Sequence, residues 1–516
     1  MPDGSVIKVV VTHRAAAEAK YTSAGWAKIR HAVTILIAAD KARGITTRFY
    51  ALDSAADAKR VHAQPVASAA DAVGIKAAIE AIFASWSPAY LALLGGPDLV
   101  TTVSLTNPLW TGNPSDDPDQ FIPSDLPYAC SGPLTFSPGD YRGPTRVIGR
   151  IPDLIGDTDP SVLVNQLTTA SKAGSLLRAS PQPVFAVSAK VWERSTALTV
   201  DGLPDVGGTV HCSPTQGPAW TATQIAPSVH VVNCHGGEFD PNWYGQADPD
   251  NWTLPTAIAA RTLPGLVKPG TVVAAECCYG AAHWPPSAAG GQASVAMTYL
   301  AQGAAGVFGS STVAYGPASS NAYADVICRL FVAQILAGAS IGRAALVARQ
   351  QFIAAQSFLD PTDLKTLAQF SAWGDPGAVP LVLPSTATSK AGGPAVPSPK
   401  SSQEVLLRRG QLATIGAGLK SSTYSCGDRP AARPALSVAA LRRLLGRPVP
   451  PAAVIRTYAA TAPSADATVP EAPRARARLT PRAHVTYLAR RGSRPPSLVV
   501  VRDAGPDPDV RIVERR

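Results

Sequence analysis

The chain has 516 residues, 46% hydrophobic and 16% charged. This excludes wholesale disorder and leaves room for about three domains with a core that needs no disulfide or metal. The net charge of +10 is uneven: residues 388–516 hold 22 Lys and Arg against 8 Asp and Glu, and the remainder is slightly acidic. A basic C-terminal quarter suits a nucleic acid or an acidic partner, or is simply a solvated face.

No apolar run reaches the length of about 18 residues that a membrane-crossing helix needs, so no membrane insertion is expected. Residues 1–12 lack the basic start and apolar stretch of a secretion signal. Seven cysteines (Cys130, Cys212, Cys234, Cys277, Cys278, Cys328 and Cys426) are too sparse for a disulfide framework. A reducing, cytoplasmic setting is therefore expected.

In chain order, residues 6–11 read as a buried strand, 21–42 as a helix, 46–52 as a strand, 69–84 as an Ala-rich helix and 90–94 as a strand. This alternation predicts a mostly parallel sheet with helices on its faces. Residues 101–145, rich in Pro, Asp, Gly and Ser, read as a long functional or junctional loop. A strand is expected at 146–151. Asp159 and Pro160 supply an N-cap and a first-turn proline for a helix to about Lys172. Strands follow at 184–188, 229–233, 271–276 and 305–309, with a helix at 294–302 closed by Gly303. Two or three helices cover 321–370. A Pro/Gly/Ser linker is expected at 386–405. Beyond it come a helix at 437–445 and three short strands at 484–488, 497–501 and 510–513, too small a meander to be stable unless docked. The organisation expected is an N-terminal α/β lobe over 1–130, a second lobe over 131–385, the linker, and a separate basic extension over 406–516.

Two strand ends carry the chemistry. One reads Val231-Val232-Asn233-Cys234-His235-Gly236, the other Ala274-Ala275-Glu276-Cys277-Cys278-Tyr279-Gly280. In an open parallel sheet ligands bind at the carboxyl ends of strands. A histidine beside a thiol can take up its proton and create a nucleophile. The Gly236 N–H and the Cys277 N–H could then hold an oxyanion. Two other readings stand beside this one. Cys234, His235, Cys277 and Cys278 have the ligand types of a zinc site, although adjacent ligands strain a tetrahedron. Buried cysteines are also ordinary packing residues.

These segments resemble the gingipain-like members of the caspase, legumain and separase group of cysteine peptidases. The resemblance runs over about residues 5–385. Its segments are Gly95-Gly96-Pro97-Asp98, Ser124-Asp125, Gly149-Arg150-Ile151, the Gly303–Ser311 stretch and Trp373-Gly374-Asp375-Pro376. It implies a caspase-like α/β fold in two sheet-containing lobes and peptide-bond hydrolysis by a Cys-His dyad acting on a protein or peptide. It implies His235 as the base and Cys277 as the nucleophile, because Gly280 lies three residues after it. The family's acid that orients the histidine is missing at Ser188-Ala189-Lys190; Glu193 could substitute for it, or is simply the start of a surface helix. The pocket for the residue before the cut would hold Asp201, or else Asp205, walled by Ser310, Ser311 and Tyr315, and would favour Arg or Lys. No organic cofactor is implied; calcium could sit on Asp116, Asp117 and Asp119. The rival reading is a catalytically idle scaffold or regulatory module whose basic tail binds a partner or nucleic acid.

Overall fold

The computed structural model describes residues 6–381 apart from 115–116, 177–182, 205, 252 and 357. Beyond these it describes 424–426, 437–439, 441 and the strands at 454–461, 484–489, 497–503 and 509–515. Asp116, Asp205 and the expected linker thus lie outside the described residues. The helix expected at 437–445 does so too, apart from 437–439 and 441.

Ten strands form one sheet: β1 (Val6–Thr12), β2 (Ile45–Ala51), β3 (Tyr90–Leu94), β4 (Ile148–Ile151), β5 (Phe185–Ala189), β6 (Val210–Ser213), β7 (Val229–Asn233), β8 (Val272–Ala275), β9 (Gly306–Ser310) and β10 (Phe370–Gly374). Their order is β2-β1-β3-β4-β10-β9-β8-β7-β5-β6. Every pairing is parallel except β10 with β9. The two halves therefore run in opposite directions and meet at that seam. β4 pairs with β3, so the N-terminal half extends to Ile151, past the boundary expected at 130.

Strands of a parallel sheet covered on both faces read as continuous apolar runs. β1 buries Val9, Val10 and Val11, and β7 is buried throughout. One face of the C-terminal half carries Val231, Ala274 and Phe308 against α4 (Ala324–Leu336) and α5 (Ile341–Ala354). Phe308 stacks on Phe331 at 4.5 Å. The opposite face carries Val232, Ala275 and Val307 beneath the short helix Val295–Ala301. The N-terminal half is sandwiched between α1 (Arg14–Ala42) on one face and α2 (Ala72–Trp86) on the other.

Several local expectations differ from the structure. The first helix begins at Arg14, seven residues early, and is kinked at Thr22, whose φ is 64°. Asp159 sits one residue before the N-cap Pro160, yet its carboxylate accepts from the Ser161 N–H and hydroxyl at 3.0 and 2.6 Å. The 101–145 segment is not structureless. It contains the hairpin Val103–Thr106 with Phe121–Ser124, the helical turn Leu126–Ala129 and a 3-10 turn at Pro138–Tyr141. Val103 and Leu105 are buried and Ser104 and Thr106 exposed, the alternation of a half-buried strand.

The C-terminal strands are β11 (Tyr424–Cys426), β12 (Val454–Thr461), β13 (His484–Ala489), β14 (Ser497–Asp503) and β15 (Asp509–Arg515). The last three are the expected meander, each slightly longer than anticipated. They do not form a separate appendage. β15 pairs with Tyr315–Gly316 and β11 with Phe358–Leu359, so the sheet is hydrogen-bonded to the main body at both edges. Among the described residues no helix is long and apolar enough to cross a membrane.

Candidate active site

β7 and β8 are neighbours in parallel register, with Ala275 opposite Val232. Alternate side chains of such strands point to opposite faces. Along β8, Ala275 and Cys277 join the cluster that holds Val232 and Cys234, whereas Ala274 and Cys278 join the cluster that holds Val231. Along β7, Asn233 lies on the second of these faces and its amide donates to Thr196 Oγ1 at 3.0 Å, in α3 (Glu193–Asp201). His235 lies two residues beyond β7, in a short strand with Gly236 that pairs antiparallel with Trp243 and Tyr244 in a separate small sheet. Its ring lies against Trp192, just before α3, with centroids 4.3 Å apart. Cys278 and His235 thus follow the ends of adjacent strands, and the chain of contacts Asn233–Thr196–Trp192 holds the His235 ring toward the α3 side of the sheet, on which Cys278 also lies.

Gly236 explains how closely the strand ends approach. A Cβ there would collide with the Cys278 carbonyl oxygen and lie 3.4 Å from the Cys277 Cβ. Only glycine leaves that space. After Cys278 the chain turns sharply. Tyr279 has φ 53°, a left-handed conformation that bulky residues rarely hold. Its hydroxyl donates to Asp119 Oδ1 at 2.9 Å. The loop after His235 leans on the loop after Cys278 through Phe239, 44% exposed, edge-on to Trp284 at 6.3 Å.

The expected nucleophile, Cys277, is turned away from this face. Its thiol is fully buried, 3.8 Å from the Val232 carbonyl and beside Cys234. Burial, with Cys234 next, pushes its pKa well above the ordinary thiol value, which opposes formation of a thiolate. Cys278 is 4% exposed, and the Ala314 backbone brackets its sulfur: the Ala314 N–H donates to it at 3.3 Å and the carbonyl lies 3.6 Å away. Since the four zinc-type residues divide between two faces of the sheet, they do not converge on one ion. Among the described residues no group of three or more His, Cys, Asp and Glu could hold a metal.

His235 is not oriented by Glu193. Glu193 is exposed and hydrogen-bonds with Cys212, whose pKa rises to about 11 through burial first and then through the Glu193 charge. The Nε2 of His235 instead lies 2.8 Å from Oε1 of the buried Gln246. Neither Gln246 nor Trp192 was singled out by sequence. Both are brought to His235 by tertiary folding, without a motif.

The expected specificity residues also move. Asp201 is exposed at the last position of α3, eight residues after Glu193 and so about 12 Å along the helix from the strand-end side. Ser310 is wholly buried and donates to the Cys277 and Thr312 carbonyls at 2.7 and 3.0 Å, which supports the turn rather than lining a pocket. Tyr315 is buried and donates to Asp117 Oδ2 at 2.8 Å. Ser311 is part-exposed and donates to the Pro123 carbonyl at 2.7 Å. The acidic loop is likewise committed. Asp117 and Asp119 bind the buried Lys365 at 2.6 and 3.1 Å, and Asp119 Oδ2 also accepts from the Val313 N–H at 2.8 Å. The Lys365 ammonium is thus already paired with two of the three carboxylates expected to hold calcium, the third, Asp116, lying outside the described residues.

The sequence matches no protein-family model and no curated protein. Among solved structures the chain is similar to the Arg-specific cysteine proteinase gingipain R (RGPB). That likeness has 9% identity and a TM-score of 0.48, and covers 99% of this chain and 97% of that one. A structure described as a protease is similar at 14% identity and a TM-score of 0.47, with the same coverage. Separase of Saccharomyces cerevisiae, in its complex with securin, is similar at 10% identity and a TM-score of 0.30, over 45% of this chain and 14% of that one.

Proposed function

We propose that the protein is a cysteine-type endopeptidase whose nucleophile is Cys278 and whose base is His235. The observation that carries this reading is their shared face at the carboxyl ends of two adjacent parallel strands, with Gly236 packed on the Cys278 carbonyl. In the reaction the Cys278 sulfur attacks the scissile carbonyl carbon as its proton passes to His235. The Gly236 and Cys278 N–H groups would steady the oxyanion. The C–N bond breaks as the imidazolium gives its proton to the leaving amine, which leaves a thioester. Water then attacks the thioester, losing its proton to His235. The acid is released and the thiolate recovers that proton. Substrates are proteins or peptides, and no organic cofactor takes part.

The second reading, a catalytically idle scaffold, is favoured by the Ala314 backbone bracketing the Cys278 sulfur. Digestion of a peptide library by the purified protein, read by mass spectrometry, separates the two. Cleavage that disappears in Cys278→Ala supports the peptidase. No cleavage by a well-folded protein, together with a Cys278 inert to thiol electrophiles, supports the scaffold.

A further inference from the structure

We infer that Gln246 is a positioning residue that keeps the proton on His235 Nε2 and thereby makes Nδ1 the nitrogen that exchanges protons with Cys278. Its use in catalysis rests on the peptidase reading; the assignment of the proton does not. The Gln246 side-chain nitrogen donates to two backbone carbonyls, of Asp248 at 2.9 Å and Asn251 at 3.2 Å. A carbonyl can only accept, so these bonds decide which end of the amide is which. The atom 2.8 Å from His235 Nε2 is then the amide oxygen, itself only an acceptor. Nε2 must carry the hydrogen. In a neutral imidazole that leaves the basic lone pair on Nδ1.

The rest of the residue is pinned as firmly. The Gln246 N–H donates to the Ser213 carbonyl at 3.1 Å, at the end of β6. Its carbonyl accepts from the Val191 N–H at 3.2 Å, in the turn that also carries Trp192. One short segment therefore supplies the ring contact and anchors the residue that binds Nε2. Asp248, Asp250 and Asn251 around it are exposed, whereas Gln246 is 1% exposed. A glutamine buried at the edge of an exposed stretch, with both ends of its amide used, fits an orienting role better than a packing one. Because the amide is neutral, it fixes the ring without adding the negative charge that an orienting carboxylate would bring.

The test is side-chain 15N NMR of the full-length protein labelled at histidine, with His235 assigned from His235→Ala. At neutral pH the assignment expects the Nε2–H tautomer in the wild type. Gln246→Met removes the acceptor at similar volume. It should abolish the tautomer preference and lower kcat roughly 10- to 100-fold with KM little changed, as misplacement of a reacting group does. An Nδ1–H tautomer in the wild type overturns the assignment even if the Met variant fails to fold. A folded Met variant with tautomer and kcat unchanged overturns it too. The expected tautomer in a wild type that cleaves no peptide supports the assignment and removes the peptidase reading.

Discussion

At the scale of single residues, the two neighbouring cysteines differ in what surrounds each sulfur. Cys277 sits among Val232, Cys234 and Ala281, where a thiolate would be desolvated. Cys278 shares its face with His235 and lies against polar backbone. Cys277→Ala should therefore keep most turnover and cost about 1 kcal/mol of stability for the lost packing. Cys278→Ala should reduce turnover to background with a nearly unchanged melt. His235→Ala should lower it by about 10²–10⁴-fold. Cleavage kinetics paired with thermal melts check all three, and an inactive but well-folded Cys277→Ala protein would reverse the assignment. The choice was out of reach of the sequence for a physical reason. Counting back from Gly280 measures distance along the chain, whereas the direction of a thiol follows the phase of its strand. That phase appears only with the register of Ala275 against Val232 and the clusters on either face.

At the scale of elements, two ion-pair groups, one buried and one half-buried, tie neighbouring segments together. Lys365, in α6 (Pro361–Gln369), draws in Asp117 and Asp119, and Asp119 holds both the Tyr279 hydroxyl and the Val313 N–H. Lys365→Met leaves two carboxylates unpaired in a dry site. It should destabilise the protein by about 3–5 kcal/mol in denaturant melts; a loss below about 1 kcal/mol would mean that the loop does not depend on this anchor. The second group ties Glu80 of α2 to Lys76 and, bidentately at 2.6 Å, to Arg146. Burial pulls the Glu80 pKa up, but the bonds to Arg146 and Lys76 outweigh it and hold it below the ordinary carboxylate value. A depressed folded value gives stability that is present above the unfolded pKa of about 4.3 and is lost as the pH falls through the folded one. Glu80→Gln should therefore be less stable than wild type at neutral pH, with the gap closing in acid. A gap that widened in acid would contradict the assignment. The strands themselves were legible because burial on both faces writes continuous apolar runs such as 272–275. The hairpin at 103–124 was not, because short half-buried strands amid Pro and Asp carry too little pattern. Gln246 was invisible for another reason: it stands in no motif or apolar run, and its meaning comes wholly from His235.

At the scale of the whole molecule, the C-terminal sheet bears on access to the site. Tyr315 pairs with Arg515 and Gly316 with Glu514, immediately after Ala314, whose backbone brackets the Cys278 sulfur. The tail therefore tethers the segment that covers the thiol. Glu514→Pro removes one backbone donor from β15 at the position opposite Gly316 and disturbs that pairing. It should raise the rate at which Cys278 reacts with a small thiol reagent severalfold, without lowering the melt of the main sheet; an unchanged rate would show that the tether does not limit access. This docking was not legible in a basic stretch that read as a detached extension, because edge pairing is made by backbone groups and leaves little trace in residue type. The measurement that tests the dyad most directly is covalent mapping. The full-length protein is treated with a peptide-based thiol electrophile, digested, and the modified cysteine located by mass spectrometry in wild type and in His235→Ala. A single adduct on Cys278 that is lost in His235→Ala is the predicted result. An adduct on Cys277, or one on Cys278 that forms equally well without His235, would contradict the account.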